Sequence, residues 1–359
     1  MRKVLVFLMI FAVASCATVS YSPQRSAYPE RVEPGSVVHS LSLDPALEER
    51  ILALDPERIS GDDVRTTLAA GPAPRIVSLH GGIYPVHLAM ESFAEFLIGM
   101  GYPEAKLRHP GDGRASLSPY EDSERIAGLI AWYYEQEGMR PLVIGHSQGG
   151  IQAVKVLYEL AGAFTDRIPV WNPLTDQAED RFTIIDPLTG LERPVVGLQL
   201  GYVSVVGAGG AALLLPNQWR MAGRLRTIPD TVEDFTGYTI GLDLVAWDLP
   251  GFAAVSAYHG EKGVRIRNVS LPAYYSHVVV PVTAYLAKDA RMREWIDEYR
   301  PGGLNGSLEL PEGPSDNLLW AADVWYDVKK HWCLEAQRLI RAKRAALGPN
   351  EHWEAKRTD

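Results

Sequence analysis

Cysteine is nearly absent. Cys16 and Cys333 are the only two in 359 residues, so one bridge at most can form and a disulfide framework is excluded. Positive charge is not in excess either: 35 Lys and Arg stand against 44 Asp and Glu, a net charge of −9. That balance offers no overall basic field for nucleic acid. Neither H-E-x-x-H nor a paired C-x-x-C occurs, so the sequence calls for no dedicated metal site and no cofactor. What is present is 47% hydrophobic and 22% charged residues, the composition of an ordinary globular chain rather than a collagen-like or disordered one. The length suits two average domains or one α/β domain with insertions, and buries a large core without staples.

The chain begins Met1-Arg2-Lys3, then runs apolar almost throughout from Val4 to Ala14 and reaches Ser15-Cys16. A short apolar run behind two positive charges reads as a secretory leader, too short for a permanent spanning helix. Small residues directly before the cysteine resemble the lipobox of bacterial lipoproteins. That resemblance implies a leader over 1–15, lipid on Cys16, and an exported protein held on the periplasmic side or at the outer membrane. The plainer alternative is an ordinary cut near Ala17. Loss of the leader removes Arg2 and Lys3 and takes the charge to −11. The following polar stretch, bounded at 16–40, reads as a flexible tether.

From residue 75 strands and helices alternate. Arg75–Leu79 is a short β-like run; Phe93, Phe96, Leu97 and Met100 then repeat at helical spacing before Gly101. Ala105–Arg108 reads as a second strand. Ser118-Pro119-Tyr120-Glu121 reads as a capping box opening a helix that ends near Gly138. Pro141–Ile144 is a strand, and Val154, Leu157, Tyr158 and Ala161 mark the next helix. Alternation at this pitch means a mostly parallel sheet flanked by helices, the α/β class. The main domain spans 41–300, broken at 163–195 by an insertion with hairpin character around Phe182–Ile185 and Pro194–Val196. Such an insertion suits a cap over a pocket. The remaining 301–359 forms a helical extension packed on the domain, with Trp325, Val328, Trp332 and Leu339 on one face and Arg338, Arg341, Lys343 and Arg344 late. That basic end suits the helix dipole, with anionic lipid the less common partner.

Between the strand at 141–144 and the next helix stands Gly145-His146-Ser147-Gln148-Gly149-Gly150. This G-x-S-x-G sequence puts a serine on a sharp strand-to-helix turn. Together with Leu79-His80-Gly81-Gly82 it resembles the α/β-hydrolase superfamily, in particular its lipases and esterases, over residues 74–288. The resemblance implies an α/β-hydrolase fold with Ser147 as nucleophile. The Gly82 and Gln148 amides become the oxyanion donors, and His80 braces the loop. Triad order in the superfamily is serine, acid, histidine. Of His259, His277, His331 and His352, only His277 follows a final strand (Gly263–Leu271) and precedes an apolar run, Val278–Val280, that reads as a helix start. Asp243, at the end of the strand-like Gly237–Leu242, is the preferred acid, with Asp248 the alternative.

Val205-Val-Gly207-Ala-Gly209-Gly-Ala-Ala212 also fits G-x-G-x-x-A, but Pro216 interrupts the following helix. A strand turning through small residues near the site is the better reading than a dinucleotide site. Leu213–Trp219 reads as buried core before acyl-binding surface, and Cys333 as a packing residue. The expected function is carboxylic ester hydrolysis on a small-molecule or lipid ester. Amidase, thioesterase or acyltransferase chemistry on the same triad, and a non-catalytic surface lipoprotein, are the alternatives.

Overall fold

The computed structural model describes residues 36–247, 256–261, 263–302 and 317–354. The leader, Cys16 and Asp248 lie outside these residues. The short apolar runs pair side by side because each can bury both its faces. In chain order the strands are β1 (Ile76–Leu79), β2 (Leu142–His146), the hairpin β3 (Trp171–Asn172) with β4 (Gln177–Ala178), and the hairpin β5 (Thr183–Ile185) with β6 (Glu192–Pro194). There follow β7 (Leu200–Val206), β8 (Thr227–Ile228), β9 (Val232–Ile240), β10 (His259–Gly260) and β11 (Arg265–Leu271). The main sheet has the order β1-β2-β7-β9-β11 and every pairing in it is parallel.

Alternate residues leave opposite faces of each strand. Ile76, Leu142, Ile144, Tyr202 and Val206 pack against one helical layer, Val77, Val143, Val203 and Val205 against the other. The first layer holds α4, the fourth helix (Tyr84–Gly99), after three short ones, α1 (Ser36–Ser40), α2 (Pro45–Ala53) and α3 (Gly61–Thr66), together with the C-terminal helix Leu318–Glu354. The second holds α5 (Ser123–Glu137) and α6 (Gln148–Leu160). A parallel sheet covered on both faces is the α/β architecture expected of an α/β-hydrolase fold.

The C-terminal helix is bound by two kinds of contact. Trp320, Trp325 and Trp332 are fully buried, worth roughly 4–6 kcal/mol each in transfer from water. A polar stripe beside them meets the sheet: Arg267 of β11 pairs with Asp323 and Asp327, Tyr202 donates to Asp327 at 2.7 Å, and His331 meets Asp234 at 3.0 Å. The basic end is occupied as well. Lys343 and Arg344 pair with Glu48 of α2 at 2.6 and 3.1 Å, and Arg338 lies 3.4 Å from Glu335. Buried Cys333 has its thiol pushed up to about 12 by burial.

Several local expectations are corrected. Ala105–Arg108 is no strand; Glu104–Lys106 is a single 3-10 turn, and the Arg108 guanidinium is taken by Glu91, Glu95 and Glu104. The box at Ser118–Glu121 closes a turn, its Ser118 N–H on Glu121 at 3.2 Å, while α5 starts later with Asp122 as N-cap. Val278–Val280 opens no helix, since Pro281 disfavours the α region at the residue before it; the next helix is Ala290–Glu298. The tether expected to run to residue 40 ends earlier, because α1 buries Val38 against Met139 and Leu339. Leu214 and Trp219, expected in the core, are 66% and 64% exposed. The insertion at 163–195 forms its two hairpins along α5, where Arg181 clasps Glu135 at 2.7 and 2.6 Å and a Cβ on Gly128 would fall 2.1 Å from the Pro169 carbonyl.

Candidate active site

Because all five strands of the main sheet run the same way, the loops after β1, β2, β7, β9 and β11 gather on one edge. Ser147 sits there between β2 and α6 with φ 56° and ψ −124°, a conformation that costs a non-glycine residue about 1–3 kcal/mol. The flanking glycines hold it there. A Cβ on Gly145 would lie 2.6 Å from the Gly149 carbonyl oxygen, and one on Gly149 would lie 2.2 Å from that of Leu79. Helix α6 therefore starts hard against β1 and β2, and the turn is tight for that reason. The Ser147 N–H donates to the Val206 carbonyl at 2.8 Å, tying the turn to β7.

Ser147 Oγ lies 2.8 Å from His277 Nε2, and His277 Nδ1 lies 2.5 Å from Asp243 Oδ2. Asp243 stands just beyond β9 and is buried; its Oδ1 accepts the N–H groups of Val245 and Ala246 at 2.9 and 3.0 Å. Burial works to raise this carboxyl, but the hydrogen bond and charge of His277 and the two amides hold it below the usual carboxylate value. An anionic Asp243 fixes Nδ1 of His277 as the protonated nitrogen and leaves Nε2 free to accept the serine proton.

The loop after β1 borders the serine. A Cβ on Gly81 would sit 3.1 Å from Ser147 Cβ, and one on Gly82 would sit 2.0 Å from Gln148 Oε1. His80 Nδ1 lies 2.7 Å from the Gly81 carbonyl, and Tyr120 Oη donates to that of Gly82 at 3.0 Å, so the loop is braced on both sides. Gln148 opens α6, and its N–H has no acceptor within the helix. Gly81 and Gly82 thus lie beside Ser147 and the Gln148 side chain at the start of α6.

Two further residues support the site. Gly207, φ 62°, lies under the His277–Asp243 pair: a Cβ there would fall 2.9 Å from His277 Cε1 and Nδ1. Its signal was the small-residue tract after β7. His146 donates from Nε2 to the His277 carbonyl at 2.7 Å, with the two rings 5.3 Å apart. Burial, then the neighbouring His277, pushes His146 down to about 3. His259, by contrast, is exposed in β10, and His331 is buried beside Asp234. Among the described residues no group of three His, Cys, Asp or Glu side chains could hold a metal ion.

His146 has a consequence for stability. Its unfolded form takes a proton near the ordinary value of about 6.5, whereas the folded form stays neutral to about 3. Between those values the unfolded chain binds the extra proton. The stability this group contributes is therefore complete above pH 6.5 and lost toward pH 3, at up to about 1.4 kcal/mol per pH unit. His146→Gln keeps an N–H for the His277 carbonyl but does not titrate. Urea unfolding across this range is expected to show a shallower acid slope in the variant, and equal slopes would refute the assignment.

No protein-family model matches the chain, and no curated protein matches it. Among solved structures it is similar to the RedJ thioesterase of the prodiginine biosynthetic pathway in Streptomyces coelicolor, at 14% identity and a TM-score of 0.27, covering 64% of this chain and 89% of that one. A second RedJ structure, with a PEG molecule bound in its active site, gives 13% identity and a TM-score of 0.27 over 64% and 91% of the two chains.

Proposed function

We propose that this protein is a serine hydrolase acting on carboxylic esters through an acyl-enzyme. The observation that carries the reading is the continuous hydrogen-bonded line from Ser147 Oγ through His277 to Asp243, on a serine held in strained backbone. In this reading His277 Nε2 takes the Ser147 proton as Oγ attacks the ester carbonyl. The resulting oxyanion accepts hydrogen bonds from the Gly82 and Gln148 amides, each worth about 3 kcal/mol in comparable sites. Collapse expels the alcohol, which receives the proton from His277. A water molecule, deprotonated by the same nitrogen, then releases the acid and restores the serine.

The test is a panel of p-nitrophenyl esters, acyl thioesters and anilides of matched acyl chains, run beside fluorophosphonate labelling with mass-spectrometric site mapping. Label on Ser147 with esters turned over fastest is the expected result. Preference for thioesters or anilides would move the substrate class while keeping the mechanism, and no label on Ser147 would end the reading.

The Ser15-Cys16 sequence supports the further reading of a lipoprotein acylated at Cys16. Two or more acyl chains retain a protein on a bilayer durably, and salt does not screen that burial. Mass spectrometry of the mature N-terminus is expected to find lipid on Cys16, with the protein staying in the membrane fraction at high salt. An unmodified terminus at Ala17 would contradict it.

A further inference from the structure

The histidine that takes the serine proton in the proposed mechanism stands on an irregular stretch. Between Leu271, the end of β11, and Ala290, where the next helix starts, the chain forms neither helix nor strand. Pro281 has no N–H and disfavours the α region at Val280, so no regular helix closes after His277. The stretch has turns of its own: the N–H groups of Val279 and Val280 donate to the Ser276 carbonyl at 3.2 and 3.1 Å. Such short-range bonds shape a loop without placing it against the rest of the fold. Its placement falls to the groups from other segments that meet its carbonyls and amides.

Asn317, the residue before the C-terminal helix, is buried and directs its amide at this loop. Its Nδ2 donates to the Val279 carbonyl at 2.8 Å and to the Val282 carbonyl at 2.9 Å. The same helix start also reaches the loop on the other side of His277. The N–H of Leu319 has no acceptor within its own first turn and donates to Oη of buried Tyr275 at 3.0 Å. Residues 317–319 therefore hold the chain two positions before His277 and two positions after it. Farther along, the N–H groups of Thr283 and Ala284 both donate to Ser92 Oγ of α4 at 3.0 Å.

We infer that Asn317 is a positioning residue for the base. Through the Val279 and Val282 carbonyls it sets where His277 stands relative to Ser147, with Tyr275 as its counterpart on the other side. The inference rests on the proposed hydrolase reading and deepens it. An amide suits the task, because its two divergent N–H groups bond two carbonyls at once and fix both the position and the tilt of the turn; a hydroxyl has one hydrogen to give. Asp243 and His146 hold the ring and the carbonyl of His277 from the strand ends. Asn317 holds the backbone that follows, from the helix side. Nε2 stands 2.8 Å from Ser147 Oγ, and displacing a catalytic group by about 1 Å costs on the order of 100-fold in rate.

The test is Asn317→Leu in the full chain, which removes both donors at nearly the same volume. Its control is Leu339→Ala, a cavity in the same helix beside Val38 and Met139. For each, kcat and KM on a short soluble ester are measured together with the low-field NMR resonance of the proton between His277 Nδ1 and Asp243. In Asn317→Leu kcat should fall about 30-fold with KM within about twofold of the parent, and the resonance should move or broaden. Leu339→Ala should lose at least as much unfolding midpoint yet keep kcat and the resonance. Tyr275→Phe, which deletes one oxygen, should show the same pattern at about 5-fold in kcat, and it decides alone if Asn317→Leu does not fold. A resonance in place with kcat within about threefold of the parent would overturn the inference. An equal fall of kcat in Leu339→Ala would overturn it too. The resonance needs no substrate, and fluorophosphonate labelling is scored on the parent chain. No label on Ser147 there strikes the hydrolase reading, whereas label with unmoved variants strikes this inference alone.

Discussion

Ser147→Ala is expected to lower kcat by about 10⁴-fold or more, abolish fluorophosphonate labelling, and leave the circular dichroism and unfolding midpoint nearly unchanged. The motive is geometric. Only the Oγ of residue 147 lies 2.8 Å from His277 Nε2, whereas the backbone of the turn is held by its own bonds and by the glycines around it. Alanine keeps the Cβ and the N–H to Val206, so the strained turn persists without a nucleophile. Residual catalysis from the amides near Gly82 and Gln148 should exceed the uncatalysed rate. Turnover within tenfold of the parent would show that another group performs the chemistry.

The second large effect is expected at the acid. Asp243→Asn should cost about 10⁴-fold in kcat with substrate KM little changed, because an amide opposite Nδ1 favours the wrong imidazole tautomer. The carboxylate is nearly enclosed, touches His277 at 2.5 Å and is held anionic by that ring and two amides. Asp248→Asn is the comparison, since the two acids competed on sequence grounds. Steady-state kinetics on both variants with one ester decide between them. A large loss at Asp248 with Asp243→Asn near the parent would reverse the assignment.

How much of this was legible can be argued residue by residue. The serine turn is a local device: its glycines, the strand before it and the helix after it are contiguous, so a short window of sequence contains every part. The same holds for Tyr84–Gly99, Gln148–Leu160 and the β5–β6 hairpin, where periodicity and turn residues agree with the fold. The superfamily resemblance pointed to His277 among four histidines and to Asp243, ahead of Asp248, after a strand. The misses have separate causes. Arg108 looked like strand but is claimed by Glu104 of its own turn and by Glu91 and Glu95 of α4. Val280 looked like helix but precedes Pro281. Leu214 and Trp219 looked like core because hydrophobicity alone does not say which side of a loop faces water.

The amino-acid sequence by itself determined the α/β alternation, the sharp serine turn and the chemical types available at the site, because each depends on neighbours in the chain. Tertiary structure alone decided the rest. Registering β1, β2, β7, β9 and β11 in parallel put the loops of distant strands on one edge. There Asp243 meets His277, Gly207 leaves room beneath them, and His146 binds the His277 carbonyl. Those contacts join residues from 34 to 131 positions apart, and no local propensity encodes a distance across such a span. Packing of the helices on both faces of the sheet supplies it.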